Sequence, residues 1–300
     1  MSTELNKERK WCSNSEFVLS KMSNSESQFN YMLSINDDET ISALGLVWQP
    51  NLDAFKFIFK PWSQPLQLTK RSLLSDINRI FDPVGFVSPV LIRGKIFLQQ
   101  LWALKLGWDT PLPPEMQQKW SQFYASLKSL EQLVIPRHVP FSNSESVRLH
   151  GFCDASQNAY GACIYILSTT TGQSQLYCSK SRVAPLKAST IPRLELCSAL
   201  LLAELVSMVS KELERISISC NAENITLWTD SSIVLAWINS NKPLKAYVSN
   251  RVAQILDLTN ATQWRHVPTA SNPADKITRG CLAETLTENS LWWHGPASKF

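Results

Sequence analysis

Three hundred residues, 44% of them hydrophobic, suffice for one large domain or two to three small ones with buried cores. A net charge of +4 allows a nucleic-acid partner without demanding one, and no apolar run reaches the roughly 18 residues of a membrane span. The seven cysteines (Cys12, Cys153, Cys163, Cys178, Cys197, Cys220 and Cys281) show neither a CxxC pair nor a Cys/His zinc spacing, so they read as small apolar side chains in an intracellular, reduced protein.

Residues 1–40 are polar and rich in Ser, Asn and Glu, with no signal-peptide pattern, and would hold little structure alone. ISALGLVWQPNLDAFKFIF then reads as a β-hairpin: a strand over Leu44–Trp48, a turn through Pro50–Asp53, and a return strand with Phe55, Phe57 and Phe59 on one face. A chain that starts in such edge material is expected to be cut from something longer. Pro61–Leu68 reads as a linker. Leu73, Leu74, Ile77 and Ile80 recur at helical spacing until Asp82-Pro83, and further helices are expected over Pro89–Leu106 and from Pro114 to about Leu133. Arg71, Arg79, Arg93 and Lys95 give this part a basic character, equally compatible with a solvated helix face. Pro136–Ser146, with its SNSES run, reads as a second linker.

From Val147 the pattern changes to strands: VRLHGFCDA, YGACIYILS, a TTTGQ turn and QLYCSKSRV, the last two forming a hairpin. A helix over Ile191–Glu214 follows, capped by Ser189 or Thr190 with Pro192 in its first turn. ITLWTD is a strand, Ser231–Ile238 a short helix, Lys245–Leu258 a helix, TQWRHVP a strand, and Asn272–Arg279 the start of a last helix. The order β-β-β-α-β-α-α-β-α describes one mixed α/β domain of about 145 residues.

Four acids stand out within it. Asp154 follows an apolar strand and precedes small residues, a place where an ionised carboxylate needs a partner charge or a metal to offset its desolvation. Glu195 lies near the start of an apolar helix, Asp230 ends the strand ITLWTD, and Asp275 opens a segment after Pro273. Strand-end acids converge at a sheet edge, and acids on flanking helices can join them. Close carboxylates raise one another's pKa unless cations neutralise them, and hard oxygen donors without Cys or His suit Mg²⁺ or Mn²⁺. Two such ions about 4 Å apart can activate water and stabilise the leaving oxygen of a phosphodiester. Each acid alone fits an ordinary cap or turn equally well.

FCDAS, PRLEL, LWTDSSIVLAWI and HVPTASNPADKITRG, in this order, resemble the ribonuclease H domain of retroelement polyproteins. KRSLLSDINRIFDPVGFVSPVLIRGKIFLQQLW resembles the helical segment after the reverse-transcriptase palm of BEL/Pao-type retrotransposons. RKWCSNS and ALGLVWQP resemble the palm's end, and LWWHGP the stretch leading towards integrase. The resemblance implies a ribonuclease H-like mixed sheet flanked by helices over 146–290, a helical thumb or connection segment over 69–140, and a palm-remnant hairpin over 1–68. It implies cleavage of the RNA strand of RNA:DNA hybrids, with Asp154 bridging two Mg²⁺ ions, Glu195 and Asp230 holding one and Asp275 the other. Upstream reverse-transcriptase and downstream integrase segments would be polyprotein partners.

A hybrid binder reads phosphates and 2′-hydroxyls more than base edges. Lys180, Arg182, Lys187, Arg193, Arg265 and Arg279 are candidates for phosphate contact, and Ser156 and Ser231 for donation to phosphate or ribose; each also suits plain surface. Trp237 and Trp264 read as core. The family's flexible histidine has no clear match, since His266 stands inside WRHVP and reads as a hydrogen-bonded strand histidine.

Polymerase activity is not expected. The nearest string to Tyr-x-Asp-Asp is Ile35-Asn36-Asp37-Asp38, a surface turn, and polymerase motifs would lie upstream of Met1. Regions of this family also carry the label of a Pao retrotransposon peptidase. Aspartic proteases need Asp-Thr/Ser-Gly, however, and Asp154 is followed by Ala155-Ser156 and Asp230 by Ser231-Ser232. A catalytically inactive nucleic-acid-binding relic is the rival to the nuclease.

Overall fold

The computed structural model describes residues 15, 17, 41–43, 46–49, 52–58, 67–139, 147–218 and 220–296. Cys12, Phe59, the Ile35–Asp38 string and most of both linkers lie outside them.

The main sheet grows from β5 (Val147–Ala155), whose residues are buried almost without alternation because helices cover both faces. β5 pairs antiparallel with β6 (Ala159–Ser168), and β6 with β7 (Ser174–Val183). α4 (Ile191–Arg215) then carries the chain across to β8 (Ile225–Thr229), which lies parallel to β5, and β9 (Trp264–His266) lies parallel to β8. The order is β7-β6-β5-β8-β9. This is the expected mixed sheet.

Alternation along the strands separates two cores. Leu149, Cys153, Ile164 and Ile166 face α4 and the helices α5 (Ser232–Ile238) and α6 (Ala246–Leu258). Phe152, Cys163, Tyr165 and Leu176 face the other way, onto the helices that precede the sheet in sequence: α1 (Lys70–Arg79), α2 (Ser88–Ala103) and α3 (Pro114–Ser126). That second core also holds Leu46 and Phe57, so the N-terminal hairpin and the helical segment share one apolar interior with the sheet. Trp264 belongs to the first core, 3% exposed, with its indole N–H donating to Thr259. The described cysteines behave as expected, four of the six being buried.

The structure differs from the sequence reading in three places. The hairpin strands β2 (Leu46–Gln49) and β3 (Ala54–Lys56) sit in a four-stranded antiparallel sheet between β1 (Ile41–Ala43) and β4 (Ile135–Pro136). Ile135-Pro136, read as the edge of a linker, is a strand because Phe55 and Ala54 across from it supply the ladder. The third helix stops at Ser126 and tightens into a 3₁₀ helix over Leu127–Gln132. Past α7 (Asp275–Arg279) come two further short helices, α8 (Ala283–Thr287) and α9 (Ser290–His294). LWWHGP therefore turns back into the protein: Trp292 is fully buried, its indole N–H donates to the Phe86 carbonyl at 2.9 Å, and the Tyr165 hydroxyl donates to the Trp292 carbonyl at 2.7 Å.

The Phe86 carbonyl belongs to a pinned loop. Asp82 accepts three backbone N–H bonds, from Gly85 and Phe86 at 2.9 Å and Val87 at 2.8 Å, which satisfy donors of the loop leading into α2. The Ser179 N–H donates to the Val84 carbonyl, so this loop covers part of the edge strand β7.

Candidate active site

Parallel pairing of β5 with β8 sets Phe152 opposite Trp228 and Cys153 opposite Thr229. One step further along each strand come Asp154 and Asp230, so the same register brings their carboxylates out side by side at the sheet's end. Glu195 arrives from one face, on the second turn of α4, and Asp275 from the other, as the first residue of α7. α7 can lie so close because Gly161 is beneath it; a Cβ there would stand 2.8 Å from Ile277 Cδ1 and 2.9 Å from the Lys180 carbonyl.

Each carboxylate is held by a donor. The Thr278 hydroxyl donates to Asp154 Oδ2, the Thr269 hydroxyl to Asp230 Oδ2 at 2.8 Å, the Ser231 hydroxyl to Glu195 Oε2 at 2.7 Å, and Arg279 Nε to Asp275 Oδ1 at 2.5 Å. Asn272, buried, donates to the Cys153 carbonyl at 3.0 Å and ties the segment before α7 to the strand bearing Asp154.

The four acids feel one another. Burial pushes Asp154 up to about 7, and Asp230 and Asp275 add to it, against the pull of the Thr278 hydroxyl. Burial also raises Glu195, with Asp230 contributing and the Ser231 hydroxyl opposing. Arg279 is raised by its bond to Asp275, and then by the more distant Asp154 and Asp230. An excess of negative charge at one sheet end is the electrostatic mark of a cation site. All-carboxylate oxygen donors fit a hard divalent cation such as Mg²⁺. Among the described residues, no three His, Cys, Asp or Glu side chains converge on one point as they stand, each acid being turned to its own donor.

The remaining candidates divide. The Ser156 hydroxyl donates to the Thr278 carbonyl at 2.9 Å and accepts the Ala159 N–H, closing the β5–β6 turn under α7. Ser231 caps α5 as well as binding Glu195. Arg193 lies over the Tyr247 ring, Arg279 is bound to Asp275, and Arg265 donates to the Thr262 and Trp264 carbonyls. Lys180, Arg182 and Lys187 are exposed. His266 is, as expected, a strand residue: it is exposed on β9 opposite Thr229, one step from Asp230. Thr278, Thr269 and Asn272 escaped the sequence reading. Their one signal is position: Thr278 sits three residues after Asp275 on a helix, and hence on its face.

A family model described as a Pao retrotransposon-like RNaseH-like domain matches residues 69–231. No curated protein matches the sequence. Among solved structures, the N-terminal RNase H domain of a Mycobacterium tuberculosis protein, fused to maltose-binding protein, is 15% identical over 45% of this chain and 91% of that one, with a TM-score of 0.31. LC11-RNase H1, isolated from compost and solved in complex with an RNA/DNA hybrid, is 13% identical over 47% and 99%, with a TM-score of 0.33. A foamy viral protease-reverse transcriptase in complex with an RNA/DNA hybrid is 11% identical and covers 77% of this chain and 29% of that one, with a TM-score of 0.45. The family match extends over helices α1–α3 and strands β5–β8, with Asp154, Glu195 and Asp230 inside it and β9 and Asp275 beyond it, and its description names an RNaseH-like domain rather than a peptidase.

Proposed function

Because the chain belongs to the Pao retrotransposon-like RNaseH-like domain family, we propose that it is a metal-dependent nuclease that cuts the RNA strand of RNA:DNA hybrids. The observation that carries the reading is the arrival of Asp154, Glu195, Asp230 and Asp275 from four separate elements at one end of the sheet, with their charges coupled. Asp154 would bridge two Mg²⁺ or Mn²⁺ ions, Glu195 and Asp230 would hold one, and Asp275 the other. Bound there, the ions would supply an activated water and stabilise the leaving oxygen.

The chain's own residues prepare that state. Asp154 and Asp230 each follow the last paired residues of two adjacent parallel strands, Cys153 and Thr229, so the backbone register brings the two positions alongside each other. Thr278, Thr269 and Ser231 orient the carboxylates of Asp154, Asp230 and Glu195 through single hydroxyl donors, which a stronger cationic partner can outcompete. Arg279 offsets part of the charge of Asp275. In the same reading residues 1–68 are a palm remnant, 69–140 a connection segment and 146–290 the nuclease domain, with reverse-transcriptase and integrase segments as polyprotein neighbours.

A second reading, a hybrid-binding relic without catalysis, draws on the same donors: four carboxylates satisfied within the protein form a stable arrangement without chemistry. Incubating the purified chain with a labelled hybrid, in Mg²⁺ and in EDTA, separates the two. Mg²⁺-dependent cutting of the RNA strand, lost in D154N and D230N, is expected; tight hybrid binding with no cutting would establish the relic.

A further inference from the structure

Two residues before Glu195 on α4, the Arg193 guanidinium lies 4.8 Å from the centre of the Tyr247 ring. Arg251, one turn along α6 from Tyr247, lies 3.6 Å from the same centre, and its Nη1 donates to the Tyr247 carbonyl at 3.2 Å. The tyrosine hydroxyl stands 3.4 Å from Cys197 Sγ, so α4 grips the far end of the ring as well. One half-buried ring thus fixes two guanidinium groups from two packed helices.

Four arginines of the described residues are neutralised by a carboxylate. Arg71 meets Asp109, Arg137 meets Asp53, Arg215 meets Glu212 and Arg279 meets Asp275. Arg193 and Arg251 meet no carboxylate among the described residues. An aromatic face attracts a cation by about 0.5–1 kcal/mol at an exposed site, yet two guanidiniums gathered at one ring repel each other and gain no counter-charge from it. Lys245, exposed at the start of α6, adds a third cation two residues from Tyr247. Arg193 also lies in the first turn of a 25-residue helix, whose dipole favours an anion there. Guanidiniums fixed in orientation and left unneutralised suit tetrahedral oxyanions, which accept paired N–H donors.

We propose that Arg193 and Arg251, held on Tyr247, clamp a backbone phosphate of the nucleic acid whose RNA strand enters the carboxylate cluster. The identity of that ligand rests on the nuclease reading; the presence of an anion clamp does not. Arg193 and Glu195 stand two residues apart on α4 and point to different sides of it, which places the clamp beside the carboxylate cluster rather than within it.

The test uses the full chain carrying D154N, in EDTA, and measures fluorescence anisotropy of a labelled RNA:DNA hybrid and of a DNA duplex of equal length across a salt series. R193Q and R251Q should each weaken binding about tenfold and lower the slope of log K against log salt by about one. Y247L should reproduce the loss, since the platform goes, whereas Y247F should not. Unchanged affinity and salt slope in a double R193Q/R251Q variant that melts like its parent would overturn the clamp, as would failure of the parent to bind either duplex. Cutting by the unmutated chain in Mg²⁺ is scored separately. Arginine-dependent binding without cutting keeps the clamp and removes the nuclease, and cutting with arginine-independent binding does the reverse.

Discussion

Two aspartates enclosed by this fold are treated in opposite ways. Asp82, in the loop between α1 and α2, is pushed up to about 6 by burial, against three backbone N–H bonds and the Lys95 ammonium, all of which lower it. Asp154, at the end of β5, has the Thr278 hydroxyl and one backbone N–H, that of Ala155, to lower it, and the carboxylates of Asp230 and Asp275 to raise it; burial, with those two charges, pushes it up to about 7. The first is a structural acid, wired to the backbone it holds in place. The second is under-compensated, and its surroundings make sense if a cation completes them.

Replacing Asp154 should produce the largest effect, in two directions at once. D154N should lose more cleavage than the roughly 10–100-fold that removal of an outer partner of a metal ligand costs. The same variant, in EDTA, should be more stable than the parent. The folded-state value of Asp154 lies above its ordinary 3.8, so its contribution to stability is full below about pH 4 and is lost as pH rises through 7. The gain of D154N should therefore be near zero at pH 4 and grow to at most about 4 kcal/mol above pH 7. Thermal melts across that range check it; a variant less stable than the parent at pH 8 would place Asp154 among the structural acids beside Asp82.

Asp82 offers the converse. D82A strips acceptors from the Gly85, Phe86 and Val87 N–H groups and should cost about 1–3 kcal/mol, the scale of buried donors left unsatisfied. The damage should reach further than one loop, because Val84 and Phe86 carry the bonds to β7 and Trp292. Faster amide exchange at Ser179 and at the Trp292 indole would show it, with cleavage per folded molecule retained. Loss of cleavage at full stability would instead make the loop part of the site.

What the sequence disclosed follows the same division. Strands β5 to β7, helix α4 and the four acids were legible, because periodicity and strand-end carboxylates are local signals. Their partners were not. Thr278 reaches Asp154 across 124 residues, Ser231 reaches Glu195 across 36, and Gln175 reaches the Pro136 carbonyl across 39, so no local pattern announces them. β4 is two residues long and owes its strand geometry to β3. Trp292 in LWWHGP looks like any exposed tryptophan until Tyr165 and Phe86 enclose it.

The smallest expected effect concerns Arg279, the one cation bonded within the carboxylate cluster. It is two-thirds exposed, and exposed pairs at this i,i+4 spacing contribute about 0.3–0.5 kcal/mol, so R279Q should barely move the melting temperature. Its electrostatic effect should be easier to see. Asp275 is one of the two carboxylates that push Asp154 up, and Arg279 lies between that charge and solvent. With the guanidinium gone, the charge of Asp275 acts on Asp154 undiminished, and the Asp154 midpoint should rise further, as read from its side-chain carboxyl carbon shift in a pH titration by NMR. No such shift could arise at Asp82, which is wired to backbone N–H groups and lies in another element. A midpoint that rises at Asp154 while Asp82 stays fixed would show that the cluster titrates as a unit, which is what a shared cation site requires and a set of separate caps does not.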